Sequence, residues 1–401
     1  MKKTRSRLTA LLGVCALAAS VGLVGCSSST DKSAEASKGE GGKEGTITIT
    51  DIVDHTVEFD KVPERIILGE SRAAYTLAFL NKEDPLKGVV AWGKDLQKNA
   101  PDFYDKFVEK FPKAKDIPTI GSLKKGDVTV ENLLEFKPDV VVLTQDMYDV
   151  AQSKGMIDKL DKSDVKWVVT DYRRQPVENT EATVEILGKL TGNEDTAKKF
   201  VDYYKEKTED VKTKVANVSG EKPKTFLWRA AGLIACCATF KESNFGTMID
   251  MAGGHNLGDE LLPGDVEDGD LTPEQILSSQ PDHVVVTGGA WGDKELDEGA
   301  KTSFVELGYA TDHDRAEQSL RDELKQPGFS ELEAGKKNQM YGIYHQFYDS
   351  PYNFIAIRAF AKWQYPDKFA DVDLEKEFKE FHEEFMPFDY SGTFFVQLSG
   401  D

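Results

Sequence analysis

Apolar positions along this chain follow two rhythms. Ile47-Thr48-Ile49-Thr50 and residues 56–59 alternate apolar and polar, the period of a half-buried strand, and predict a small hairpin. Residues 65–68 and 88–91 are short, continuous apolar runs, the mark of parallel strands buried on both faces. Residues 140–143 and 167–169 repeat that pattern, with helical stretches between. Residues 178–190 predict a helix that stops at Thr191-Gly192. The next segment, 194–218, spaces Phe200, Tyr203, Tyr204 and Val211 helically among many Lys and Glu. About 24 residues rising 1.5 Å each make a helix of about 36 Å, long enough to run along two domains. Beyond Gly220 and Pro223 the alternation of strand and helix resumes. Strands are expected at 225–228, 283–287 and 339–344, and helices at 245–252, 355–363 and 374–385.

One segment occurs twice. Thr129-Val-Glu-Asn-Leu-Leu-Glu-Phe-Lys-Pro-Asp-Val-Val-Val is echoed by Thr272-Pro-Glu-Gln-Ile-Leu-Ser-Ser-Gln-Pro-Asp-His-Val-Val at a constant offset of 143 residues. Each reads as an N-capping Thr, a short amphipathic helix, a Pro-Asp turn and a buried strand. Pro273 falls at the first helical position, where its missing N–H costs nothing. Two such units, one on each side of a long helix, suggest a duplicated, two-lobed α/β architecture.

The front of the chain changes the picture of where it works. Lys2, Lys3, Arg5 and Arg7 precede eighteen uncharged, largely apolar residues from Leu8 to Gly25. The stretch ends in Leu23-Val24-Gly25-Cys26, which resembles the lipobox of bacterial lipoproteins. That resemblance implies a leader over 1–25 and a lipid on Cys26. Residues 26–45, rich in Ser, Gly, Lys and Glu, then serve as a flexible tether on the outer side of the cell membrane. The whole chain carries a formal charge of −20, and four of its positive charges lie in residues 1–25, so the remainder carries −24. With no basic stripe to displace phosphate counterions, a nucleic-acid partner is not expected. About 355 residues beyond the tether exceed what one core usually serves, so two domains are expected. Besides Cys15 and Cys26 only Cys236 and Cys237 remain, too few for a disulfide scaffold. That adjacent pair reads first as two small buried residues, then as a vicinal disulfide or a thiolate site.

Several of these segments together resemble the helical-backbone (class III) family of ABC-transporter substrate-binding proteins, carriers of ferric siderophores, haem or vitamin B12. They are 56–67 with its Pro63-Glu64-Arg65 turn, the two Glu…Pro-Asp segments, Tyr341-Gly-Ile-Tyr-His with Ser350-Pro351, and Tyr365-Pro-Asp-Lys-Phe. The resemblance runs from about Ile47 to the end of the chain. It implies two Rossmann-like α/β lobes, 46–192 and 219–401, joined by one long helix at 193–218, with ligand in the cleft between them. It further implies no catalysis, small hinge motion, and docking to an ABC permease dimer through one acidic residue on each lobe, here Glu131 and Glu274. A monomer is expected. Gly-x-Ser-x-Gly and His-Glu-x-x-His, the signatures of common hydrolases, are both absent.

In open α/β sheets ligands bind at loops following the C-terminal ends of strands. Those loops carry Arg72, Trp92, Tyr148, Tyr172, Arg173 and Arg174 in the first half, and Arg229, Trp291, His345 and Tyr348 in the second. Arginine donates in fork geometry to anionic oxygens, and Trp and Tyr add stacking area. These loops suit an anionic, partly aromatic ligand, and within the family that the chain resembles this implies a Fe(III) chelate of siderophore type, with no resident cofactor; haem or cobalamin are the alternatives within the same fold. His345 and Tyr348 are the candidates for ligating the metal directly, since imidazole and phenolate both suit iron. Clustered His and carboxylates for a free zinc or manganese ion are missing, because the six histidines are scattered.

Overall fold

A computed structural model describes residues 45–121, 127–292, 296–297, 300 and 302–400. The expected leader 1–25, Cys26 and tether residues 26–44 lie outside the described residues. The hairpin forms as β1 (Ile47–Thr50) paired antiparallel with β2 (Thr56–Phe59), one face buried and one exposed. The apolar runs become β3 (Ile66–Leu68), β4 (Val89–Trp92), β5 (Val140–Thr144) and β6 (Lys166–Thr170), a parallel sheet in the order β4-β3-β5-β6. The second half holds β7 (Lys224–Trp228), β8 (Ala238–Phe240), β9 (His255–Asn256), β10 (Asp268–Asp270), β11 (His283–Gly288), β12 (Met340–Tyr344) and β13 (Phe395–Gln397). Five of these form a sheet in the order β13-β12-β11-β7-β9, parallel except for the edge strand β13; β8 and β10 make a separate antiparallel ribbon. The protein thus has two Rossmann-like α/β lobes.

The echoed segment builds the same device in both lobes. Thr129 Oγ1 accepts the Asn132 N–H and Thr272 Oγ1 accepts the Gln275 N–H, both at 3.2 Å, starting helices Val130–Leu134 and Pro273–Ser279. The repeated aspartates then tie down neighbouring strands. Asp139 accepts the backbone N–H groups of Glu64 (2.8 Å) and Arg65 (2.9 Å) at the entrance to β3, and Asp282 accepts that of Lys224 (2.8 Å) at the start of β7. The repeated threonines and aspartates thus have a local structural reason, while Glu131 and Glu274 are exposed.

Between the sheets runs helix Glu194–Val215, 22 residues, about 33 Å at 1.5 Å each. It ends three residues before the expected boundary, where Asn217 and Gly220 favour a turn. Its buried stripe, Ala197, Phe200, Val201, Tyr204, Thr208 and Val211, packs on helix Pro176–Thr191 of the first half and Asn353–Gln364 of the second. A Cβ on Gly188 would lie 2.5 Å from the Ala197 Cβ, so glycine is what lets the two helices touch. Phe79 of the first lobe stacks on Phe200 (4.4 Å), which meets Phe385 of the second (5.7 Å). Buried Arg358 also joins Asp210 of the long helix (2.8 Å) to Glu377 (2.5 Å). The described residues from Gly45 to Gly400 consequently form one compact unit with a continuous apolar interior. Beyond the strand ends, residues of both lobes line a hollow, Arg72 and Arg173 from the first and Arg229 and Tyr348 from the second.

One buried carboxyl has a measurable consequence. Glu323, following helix His313–Asp322, is fully enclosed, and burial raises its pKa from 4.5 to about 8, with the Thr302 hydroxyl opposing the shift. A folded value above the unfolded one means a contribution fully present below pH 4.5 and lost as pH rises towards 8. Glu323→Gln is therefore expected to stabilise the protein at pH 8 by about 3–5 kcal/mol, at about 1.4 kcal/mol per unit, and not at pH 4. Equal urea midpoints for variant and parent at pH 8 would refute this.

Candidate functional site

The strand orders place the site. In the first sheet the chain passes from β3 to β4 on one side and to β5 on the other, and in the second from β7 to β9 and to β11. A crevice opens at the C-terminal ends of strands where the winding reverses in this way. After β3 the backbone turns sharply through Gly69 and Glu70 into Ser71–Ala73, and the Asp95 carboxylate organises that turn. It accepts the N–H of Ser71 (2.7 Å) and of Arg72 (3.1 Å), and the Arg72 Nε–H (2.9 Å). After β6, Asp171 plays the same part. It accepts the N–H groups of Arg173, Arg174 and Gln175, each at 2.8 Å, and so aims two arginines into the crevice ahead of helix Pro176–Thr191.

Around Arg72 and Arg173 the charges are closely packed. Arg72 lies 3.1 Å from Glu70, 2.9 Å from Asp95 and 2.6 Å from Asp349. Arg173 lies 2.7 Å from Glu70, 2.5 Å from Asp146 and 2.5 Å from Asp349. Burial by itself would lower both guanidinium pKa values, but the pull of Asp349 first, with Glu70 and the other neighbours, holds both well above their ordinary value. Both arginines stay charged. Tyr348 accepts a hydrogen bond from Arg72, and its ring centroid lies 5.5 and 5.6 Å from the two guanidinium carbons, within cation–π range.

Farther out, Arg174 grips Glu267 of the ribbon through Nε (2.8 and 2.9 Å) and also meets Asp149. Arg229 pairs with Asp268 and lies over the Phe240 ring at 4.8 Å. Arg72, Arg173, Arg174, Arg229, Tyr348 and Phe240, contributed by both lobes, line one cavity of about 360 Å³. Arg173 Nε and Arg229 Nε are buried with no hydrogen-bond partner among the described residues. A second cavity of about 350 Å³ opens beside it under Lys94, Lys98 and Met147. Two larger hollows, about 830 and 1110 Å³, lie elsewhere on the second lobe and touch none of these arginines.

The profile of the periplasmic binding protein family matches residues 80–346, two thirds of the chain. The chain belongs to that family. Among solved structures it is similar to the TroA-like periplasmic binding protein FepB of Veillonella parvula, at 25% identity and a TM-score of 0.78, covering 88% of this chain and all of that one. It shares its fold with the molybdate-binding MolA of Haemophilus influenzae (18% identity, TM-score 0.61, 86% and 99% covered). It also shares it with CeuE of Helicobacter pylori with Ni(II) bound (14%, 0.60, 86% and 97%). A cobalamin-binding protein of Halobacterium salinarum is 23% identical over 245 residues, 60% of this chain and 58% of that protein, so the match spans less than two thirds of that relative. Periplasmic binding proteins of this kind work outside the cytoplasm, binding small solutes and passing them to ABC permeases. Among the described residues no helix is long and apolar enough to cross a membrane.

Within this periplasmic binding protein, five of the ten candidate ligand residues share the cavity: Arg72, Arg173, Arg174, Arg229 and Tyr348. Trp92 is buried against Phe107, and Tyr172, its phenol pKa raised by burial, bonds Thr76 at 2.6 Å. Tyr148 leaves the crevice because helix Gln145–Ser153 turns it outward to stack on Trp167 at 5.6 Å. Trp291 donates its indole N–H to Asn99 O across the lobes (3.2 Å), and its ring stands edge-on to His345. The His345 Nδ1 lies 2.9 Å from Thr287 Oγ1, and its ring lies 4.6 Å from that of Tyr348. Among the described residues no three His, Cys, Asp or Glu side chains cluster as a metal site.

Glu131 and Glu274 are exposed in the first turns of their helices. The Glu131 carboxyl is held below its ordinary value by its own backbone N–H, then by Thr129 and Lys159. Cys236 and Cys237 are joined by a vicinal disulfide in place of the packed free thiols read first from the sequence; Cys237 is buried and pairs its backbone with Leu271. Four carboxylates that hold the arginines, Glu70, Asp95, Asp146 and Asp349, were not among the candidates from sequence. Only Glu70 carried a signal, standing two positions before Arg72; Asp95, Asp146 and Asp349 come from other segments of the chain.

Proposed function

We propose that this protein captures an anionic ferric siderophore or similar iron complex and delivers it to a membrane permease, held at the membrane by a lipid on Cys26. The observation that carries the reading is the gathering of four arginines, Tyr348 and Phe240 from two lobes around one cavity. Such donors suit carboxylate, catecholate or hydroxamate oxygens, and the rings suit an aromatic chelator. The cavity of about 360 Å³ falls at the small end of ligand sites. The chain's overall negative charge does not oppose an anion, because charges beyond roughly 8 Å are screened at physiological salt. His345 and Tyr348 would be the side chains to complete an unsaturated ferric complex. Cobalamin is the second reading, favoured by the Halobacterium relative.

The test is to purify the protein from its own host and take mass and absorption spectra of what comes with it. An iron-bearing small molecule with a visible charge-transfer band is expected. A corrin or porphyrin spectrum would replace the reading. Loss of the visible band in His345→Ala with Tyr348→Phe would show that the protein ligates the iron.

A further inference from the structure

We infer that Asp349 is an internal stand-in for the ligand's anionic group: it occupies the arginine seat in the empty protein, bridges the lobes, and must be displaced for ligand to bind. This rests on the reading of the cavity as an anion site. Asp349 ends the turn His345–Asp349 that follows β12, so it belongs to the second lobe, whereas Arg72 and Arg173 follow strands of the first. Its carboxylate meets both, at 2.6 and 2.5 Å, and is only 5% exposed. The two arginines and Tyr348 line the cavity, and Arg72 and Arg173 also line an adjoining small void of about 20 Å³, where Asp349 and Glu70 lie.

Charge counting shows which carboxylate is surplus. With Asp349 withdrawn, Arg72 keeps Glu70 and Asp95, and Arg173 keeps Glu70 and Asp146, all from the first lobe. Every guanidinium would remain paired, so Asp349 is not needed to settle the arginines. Burying a further carboxylate there has a desolvation cost that its ion pairs at best offset. What it adds is a bond between lobes whose donors an incoming anion can use instead. A second buried carboxylate does the opposite job. Asp102 of the first lobe accepts the Tyr309 N–H at 2.9 Å and the Tyr344 hydroxyl at 3.0 Å, both from the second lobe. Those donors are neutral, and neither Arg72 nor Arg173 is among them. The Asp102 side holds the lobes together while the Asp349 side is exchangeable. The device favours ligands that present several anionic oxygens at once, since a weak monoanion cannot replace a doubly paired carboxylate.

Asp349→Asn keeps the shape and removes the charge, and Asp349→Glu keeps the charge. Without ligand, hydrogen exchange in Asp349→Asn should quicken about tenfold in the turn 345–349 and the loop 171–175, and stay unchanged at 307–309 beside Asp102. Asp349→Glu should restore protection. With a ferric tris-catecholate siderophore as probe, followed by tryptophan quenching, Asp349→Asn should bind about tenfold tighter, as expected when a self-occupied state holds some nine tenths of the population. Unchanged exchange, or equal or weaker probe binding by Asp349→Asn, overturns the stand-in. Failure of wild type and variant alike to bind the ferric probe overturns the iron-chelate reading instead, and the exchange result still decides the role of Asp349.

Discussion

Arg173→Gln should cost the protein about 3–5 kcal/mol of stability and most of its ligand affinity. Its guanidinium is the one group that touches Glu70, Asp146 and Asp349 together. Removing one partner of a buried ion pair is strongly destabilising, on the order of that figure, because charge is left behind uncompensated. The loss should depend on pH with a definite sign. Burial already raises the Asp349 carboxyl above its ordinary value, and Arg173 is the strongest influence opposing it. Without Arg173 the carboxyl rises further, and stability held by a raised acid is present at low pH and lost as pH increases. The gap between variant and parent in urea unfolding should therefore be narrower at pH 5 than at pH 8. Charge-assisted hydrogen bonds contribute about 1.5–3 kcal/mol each, so the ferric chelate should bind roughly 10–150-fold more weakly. Arg174→Gln is the control. Its partners Asp149 and Glu267 are each nearly half exposed, so its stability effect should stay within about 1 kcal/mol while affinity still falls. A Arg173→Gln protein as stable as the parent at both pH values would dismiss the buried-charge account.

How much of this was legible beforehand depends on whether the signal was local. Period-two and continuous apolar runs located β1 to β7, β11 and β12 within a residue or two, because strand burial is written into consecutive positions. The echo at 129 and 272 exposed the duplication because caps and Pro-Asp turns are local chemistry. The ribbon of β8 and β10 escaped, since Asp268-Gly269-Asp270 has no apolar alternation and is held by pairing alone. The arginines could be read from their places after strands. Their neutralisation could not, because Asp349 stands 176 positions from Arg173 and meets it only through the packing of two lobes. Tyr148 shows the converse: its loop position suggested the crevice, but Gln145–Ser153 begins a helix at once, and helical geometry turned that side chain towards Trp167. A loop position indicates nearness to a site, while the direction of the side chain is decided by the element that follows.

The second large effect concerns transport rather than binding. Reversing both Glu131 and Glu274 to lysine should reduce uptake to background while leaving ligand affinity of the isolated protein unchanged. Both side chains project from first helical turns that are matched between the lobes, and neither touches the arginine cavity. Folding should survive, because each helix keeps its threonine cap, and the helix dipole weakly affects exposed charges. The paired arrangement itself argues for a partner: two like charges held at equivalent places on a duplicated scaffold fit a two-fold permease with basic residues facing each lobe. If that is the docking geometry, one reversal should leave partial uptake and two should leave none. Acidic substitutions of the facing permease arginines should then recover transport by the double variant. Normal uptake with both charges reversed would remove these residues from the docking surface and return them to the role of helix-capping acids.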